Sequence, residues 1–354
     1  MKKIDFTLFF TVIILSLFGL FMIYNASSFI AFRDFSDKYH YVKDQLLWLI
    51  LGFIGLVFFS LFDYKRLYYL FLPILICIFL LLISVFLPII GVYVLGAHRW
   101  INFGFFVLQP SELVKLGLAI CLSAWFSDNE KGRFGPACII IIMIIILVMI
   151  EPDMGTAVVL LLESIVIYFL SGGSIFNLFM IIPLIFTAGY IAIKIAPYRA
   201  ERLLEHMGVY YSIDKTSYHV KQILIALGSG GITGIGFGNS LQKYAYLPEN
   251  TTDSIFAIIA EEYGLVGGGL LLSVYIFLIW RGIHIAKNTK DSFGKLLSAG
   301  IITFLGIQAL INLGAQSALI PLTGIPLPFI SYGGSATVVN LCSIGILLNI
   351  SKKI

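Results

Sequence analysis

The chain has 354 residues, 59% of them hydrophobic and 12% charged, with a formal net charge of +4. A mean hydropathy of +0.99 excludes a soluble globular domain, and so small a net charge gives no ground for a nucleic-acid partner. Cys77, Cys121, Cys138 and Cys342 all sit in apolar runs without CxxC spacing, so neither a disulfide framework nor a zinc site is expected.

About 20 apolar residues cross a bilayer as a helix, and about ten such runs can be drawn. They cover 6–24, 45–61, 67–87, 110–126, 137–149, 156–170, 176–195, 254–280, 296–313 and 336–350. Lys2 and Lys3 precede the first run and no small-residue cleavage site follows it, so it reads as a retained span. The expected fold is an all-α polytopic membrane protein, one transmembrane domain over 1–354. A large loop at about 196–253 separates spans seven and eight. Lys2/Lys3, Lys65/Arg66, Lys131/Arg133, Arg281/Lys287/Lys290/Lys295 and Lys352/Lys353 fall in alternate loops. The positive-inside rule places them, and both termini, in the cytoplasm. The large loop is then extracellular, as are His98-Arg99-Trp100, the turn 151–153 and the stretch 321–335.

Charge at the bilayer centre costs roughly 2.5 to 3.5 kcal/mol, so such residues face a partner or a cavity. Four outward clusters carry most of the polar groups. In the first, Arg99-Trp100-Ile101-Asn102 precedes Gln109-Pro110-Ser111-Glu112-Leu113-Val114-Lys115. Pro110 suits a helix start, and Glu112 and Lys115 can pair at i, i+3. The second, Glu151-Pro152-Asp153-Met154-Gly155-Thr156, reads as a tight turn. The third runs from Gly324 through Pro326, Pro328 and Gly333-Gly334 to Ser335. It cannot form a regular span, so it is either an ordinary outer loop or an element buried in protein or lining a wet cavity.

The fourth cluster is the large loop itself. Arg199, Arg202, Lys215, Lys221 and Lys243 flank a glycine-rich run at 228–238; cations there suit a pyrophosphate or another anionic headgroup. No Gly-Lys-Ser/Thr ends that run, so it is not a Walker loop. The loop closes on Leu247-Pro248-Glu249-Asn250-Thr251-Thr252-Asp253-Ser254. There Thr251 or Thr252 is the expected helix cap, and the bland reading of Asp253 is an acidic first-turn residue. Glu163 lies mid-span and is expected to have a partner in the bundle. No cofactor motif is evident. His40, His98, His206, His219 and His284 are scattered, without HExxH or paired spacing.

Six motifs together resemble one family. They are Arg99-Trp100-Ile101; Gln109-Pro110-Ser111-Glu112-Leu113; Pro152-Asp153-Met154-Gly155-Thr156; Leu247-Pro248-Glu249 with Thr252-Asp253; Glu261-Glu262 with Gly264; and Pro326-Leu327-Pro328-Phe329-Ile330-Ser331-Tyr332-Gly333-Gly334-Ser335. In this order, over nearly the whole chain, they are similar to the SEDS family of cell shape, elongation, division and sporulation proteins, RodA and FtsW. The run 228–238 leading to Gln242-Lys243 is more similar to the FtsW branch. The resemblance implies a ten-span peptidoglycan glycosyltransferase. Such enzymes polymerise lipid II on the outer face of the bacterial cytoplasmic membrane, beside a class B penicillin-binding protein as transpeptidase and other divisome or elongasome proteins. The family's essential acid matches Asp253, and other functional positions match Arg99, Glu112, Lys115 and Asp153. The sequence departs from the family at Ser254, where Phe is usual, and at 205–209, where an Arg-rich segment ends in a Phe-Leu-Asp-Pro-like run.

The mechanism expected from this resemblance is a single displacement. A sugar hydroxyl of lipid II attacks the anomeric carbon of the growing, polyprenyl-pyrophosphate-linked glycan, with Asp253 as general base. Arg99 and Lys115, with Arg199 or Arg202, would neutralise the leaving pyrophosphate; a divalent cation, Mg or Mn, is the alternative. Two rivals come from other classes. A lipid II flippase would carry its ionisable groups near midplane at broken helices, and a non-catalytic division scaffold would tolerate replacement of Asp253.

Overall fold

The computed structural model describes residues 4–94, 97–104, 106–128, 133–195, 200–202, 204, 206 and 216–354. Twelve helices of five or more residues dominate these residues: α1 Phe6–Phe35, α2 His40–Leu61, α3 Lys65–Tyr69, α4 Phe71–Ser84, α5 Pro110–Ser127, α6 Phe134–Ile150, α7 Met154–Leu170, α8 Ile175–Ile195, α9 Tyr218–Gly230, α10 Ile255–Asn288, α11 Ser292–Gln316 and α12 Gly334–Ser351. Among the described residues α1, α2, α10, α11 and α12 are long and apolar enough to cross a membrane, and α4, α6 and α7 are shorter apolar helices. The chain is an integral membrane protein.

The expectation of an all-α chain needs one correction. Three short segments form an antiparallel sheet, β1 Gly91–Val94, β2 Ala97–Asn102 and β3 Val107–Leu108. The strands carry Val92, Tyr93, Val94, Trp100, Ile101 and Val107, β-branched and aromatic residues that suit a pleated, half-buried surface. Several span boundaries also moved, two of them with a clear local cause. The first helix continues past residue 24 to Phe35, because its polar outer turns find partners in the large loop. The run 67–87 splits at Leu70; Pro73, in the first turn of α4, has no amide to carry the ladder across.

The innermost helices are α11, α12 and α5. Small residues let backbones approach. A Cβ on Gly345 of α12 would lie 2.4 Å from the Leu56 carbonyl oxygen of α2. One on Gly300 of α11 would meet Ile167 of α7 at 2.8 Å and Ala119 of α5 at 3.3 Å. The core of this packing runs through Ala119, Leu297, Ile301, Phe304, Leu341, Ile344 and Leu348.

Two irregular segments are built into the bundle. The stretch after α11 is inside the protein, with Ile325, Leu327, Phe329, Ile330 and Ser331 all buried, as irregular backbone at membrane depth requires. The second lies at Gly264, where α10 is broken (φ 65°, ψ −163°). The Glu261 and Glu262 carbonyls accept the Ile235 and Gly236 amides, while the Leu265 and Val266 amides donate to the Gly231 and Ile232 carbonyls. The glycine-rich run is thus a backbone insert in a membrane helix.

Candidate active site

Asp253 stands just before Ser254, the N-cap of α10. Neither Thr251 nor Thr252 caps the helix. Ser254 makes no cap bond either, its Oγ lying 2.7 Å from His219 Nε2 of α9. Asp253 lines a cleft of about 270 Å³ with Arg202, His206, Ser217, His219, Glu249 and Gly324. Ala315, Ala318, Ile320, Pro321 and Leu322 form its apolar wall.

Burial, and secondarily the Glu249 charge, push the Asp253 carboxyl up to about 7, opposed by a backbone hydrogen bond, the Thr252 hydroxyl and, least, Arg202. The Thr252 hydroxyl lies 2.8 Å from Glu249 Oε2 and 3.3 Å from Asp253 Oδ1. Its single proton serves one carboxylate at a time. The Asp253 main-chain carbonyl accepts Asn312 Nδ2 at 2.9 Å and also Gln316 Nε2, both from α11. Burial pushes the His219 imidazole below its usual range, so it faces the cleft region as a neutral ring. Arg202 donates to the Leu322 carbonyl at 3.1 Å, tying the large loop to the irregular stretch.

The other expected site residues fall into two further groups. On α5, Lys115 Nζ is 2.7 Å from Glu112 Oε2, both buried, and donates to Gln308 Oε1 at 2.8 Å. The charge acting on fully buried Glu163 is that of Lys115, and neither Glu163 carboxyl oxygen has a hydrogen-bond partner. The pair expected from the i, i+3 spacing is therefore present, and its amide partner Gln308 is an addition.

The last group lies where β2 meets the α6–α7 turn. Strand β1 pairs Val92 with Trp100 and Tyr93 with His98, so Arg99 is the extra residue of a bulge. Bulges re-aim side chains. The Arg99 guanidinium donates to the Glu151 carbonyl at 3.0 Å and to the Pro152 carbonyl, a favourable place for a cation at the end of α6. Asp153 is the N-cap of α7, with Oδ1 accepting the Thr156 amide at 3.0 Å. Its Oδ2 accepts Ser111 Oγ at 3.1 Å. Burial, Asp153 and, in opposition, Arg99 set the neighbouring Glu151 carboxyl up to about 9.

Asp253 and Arg202 thus share a cleft, Glu112 and Lys115 form a buried pair, and Arg99 and Asp153 are engaged in holding a turn. Arg199 and Lys215 lie outside the described residues. Lys243 does not face a headgroup: it is buried, 3.3 Å from Glu262 Oε1 and bonded to Asn25 and the Gly238 carbonyl. Sequence reasoning missed His219, Glu249 and the amides of α11. The amides had a signal, since 308, 312 and 316 recur every four residues in an apolar helix.

The profile of the FtsW/RodA/SpoVE cell cycle proteins matches residues 6–354. The stage V sporulation protein E of Bacillus subtilis is 38% identical over 341 residues, which are 94% of this chain and 93% of that protein. A probable peptidoglycan glycosyltransferase FtsW of Coxiella burnetii is 38% identical over 349 residues, 95% and 92% of the two chains. Among solved structures, a chain from a peptidoglycan synthase complex that coordinates polymerization and crosslinking superposes with a TM-score of 0.80 at 26% identity, covering 100% of this chain and 99% of that one. The rod shape determining protein RodA of Thermus thermophilus gives 0.73 at 25% identity, covering 99% and 97%.

Proposed function

The chain belongs to the FtsW/RodA/SpoVE family of cell cycle proteins, and we propose that it is a peptidoglycan glycosyltransferase whose general base is Asp253. It polymerises lipid II on the outer face of the bacterial cytoplasmic membrane, as ten spans with both termini inside. The transpeptidase it works beside is a class B penicillin-binding protein, in keeping with the synthase complex its fold resembles.

The observation that carries the mechanism is the Asp253 carboxylate, pushed up to about 7 in a cleft with a cation on its rim. A carboxylate near 4 is a weak base, and one near 7 is matched to neutral pH. The acceptor hydroxyl gives its proton to Asp253 as its oxygen bonds to the donor's anomeric carbon. The bond from that carbon to the lipid pyrophosphate breaks, and the pyrophosphate leaves with the electron pair. An α-linked donor yields a β-1,4 product by this single inversion. Arg202, with Arg199, is placed in sequence to meet the leaving phosphates. Lys115, held by Glu112, acts through the buried framework. Among the described residues no three His, Cys, Asp or Glu side chains gather as a metal-ligand set.

The test is glycan polymerisation from labelled lipid II by the purified protein, with and without its transpeptidase, beside Asp253→Asn. That variant keeps the shape and loses the base, and a fall of roughly 10²- to 10⁴-fold is expected. Near-normal strands from Asp253→Asn would remove Asp253 from the mechanism.

A further inference from the structure

Helix α11 carries three amides at i, i+4 and i+8 in its otherwise apolar C-terminal half: Gln308, Asn312 and Gln316. All three are buried, at 0%, 2% and 1% exposure. A buried amide is costly unless it is hydrogen-bonded, and here each amide nitrogen donates to a backbone carbonyl outside regular structure, while the Asn312 and Gln316 side-chain oxygens have no partner. Gln308 Nε2 donates to Pro326 at 2.9 Å. Asn312 Nδ2 donates to Ile325 at 2.8 Å and to Asp253 at 2.9 Å. Gln316 Nε2 donates to Asp253. At the inner end of the row, Gln308 Oε1 accepts from Lys115 Nζ, which holds Glu112.

These contacts sit where helices cannot supply them. Asp253 precedes the N-cap Ser254, so its carbonyl lies outside the ladder of α10. Pro326 and Pro328 deny the stretch 321–333 a ladder of its own. The amide row replaces both, and it spans from the buried Lys115–Glu112 pair to the backbone of Asp253.

We propose that Gln308, Asn312 and Gln316 form a positioning ladder that fixes Asp253 relative to the Lys115–Glu112 pair, with Asn312 as its central rung. The inference rests on the reading of Asp253 as base. None of the three lines the cleft; they act through the Asp253 main chain. A misplacement of about 1 Å can cost on the order of 10²-fold in rate, so losing the central rung has a measurable consequence. A purely structural role predicts something different: fewer folded molecules, each with unaltered chemistry.

The experiment compares wild type, Asp253→Asn, Asn312→Ala and Gln316→Met in lipid II polymerisation across pH, with rates expressed per folded molecule from a thermal-shift or size-exclusion measurement. Asp253→Asn should be inactive. Asn312→Ala should fall by about 10- to 100-fold. Its acid-side midpoint should move toward acid as the freed Asp253 gains solvent, while Glu249, Arg202, His206 and His219 around the cleft are unchanged. Gln316→Met should move both readouts in the same directions by less, and it decides alone if Asn312→Ala fails to fold. An inactive Asp253→Asn beside ladder variants within twofold of wild type, or slowed with an unmoved midpoint, overturns the ladder and leaves the base intact. An active Asp253→Asn overturns the base, and the ladder with it.

Discussion

A carboxylate is a useful base only where its environment raises its proton affinity, and Asp253 has two contributors, burial and the Glu249 charge. The rate of polymerisation should therefore fall on the acid side with a midpoint near 7, as Asp253 takes up its proton, and level off above it. Glu249→Gln removes a like charge and should shift that midpoint toward acid, which a pH–rate profile reads directly. Glu151 answers to the same physics without chemistry. Its carboxyl is buried without a hydrogen-bond partner and pushed up to about 9. Below the usual carboxylate range, folded and unfolded chains both hold that proton, and the stability linked to it is complete. Between that range and about 9 only the folded chain holds it, so stability falls by about 1.4 kcal/mol per pH unit. Glu151→Gln should remove this slope, and thermal unfolding in detergent at pH 6 and pH 9 should show the variant losing less than wild type.

At the scale of elements, the break in α10 is the least regular feature and the most constrained. Gly264 has φ 65°, and a Cβ there would lie 2.3 Å from the Gly234 nitrogen and 2.5 Å from the Ile232 oxygen. Gly264→Ala meets both obstacles, the positive-φ, extended-ψ backbone that is essentially glycine's alone costing roughly 1–3 kcal/mol before any clash. It should lower the melting temperature and detach the insert, and limited proteolysis within 231–243 is the measurement. A broken helix also suits a transporter, but this one is filled: Glu261 and Glu262 accept from Ser229, Ser240, Leu241, Asn25 and Lys243. The glycine-rich run was legible as a place of close backbone approach, because glycines there have few other uses. That it would enter the helix that follows was not, since backbone-to-backbone pairing leaves no side-chain pattern. The same holds for the sheet. The Arg99 motif was visible, and the bulge that aims it at the α6–α7 turn depends on a strand register that periodicity does not encode. The Lys115–Glu112 pair was readable from spacing alone, because helical geometry fixes which side chains meet.

For the whole molecule, hydrophobicity decides that the chain enters a membrane, but it does not decide which helix lies against which, since lipid is as apolar as leucine. Small residues and buried polar ties supply that choice. At the end that holds both termini, Arg281 of α10 binds Asp5 before α1 at 2.7 Å, and the Asp5 amide donates to Ser351 of α12. Toward the other end, Asn25 of α1 donates to Glu262 of α10 at 2.5 Å and accepts from Lys243 at 3.0 Å. Lys243→Met would leave Glu262 a buried charge with weakened compensation, and a cost of roughly 3–5 kcal/mol is expected. Replacing both, Lys243→Met with Glu262→Met, removes the uncompensated charge and should restore much of that stability. It should not restore all of it, because Asn25 then loses partners it cannot replace from solvent, at about 1–3 kcal/mol. A double-mutant cycle read by thermal unfolding separates these terms. A double variant no more stable than Lys243→Met alone would mean that Glu262 holds α1 and the insert through its neutral hydrogen bonds, and that the lysine's charge is incidental to the assembly of this end of the bundle.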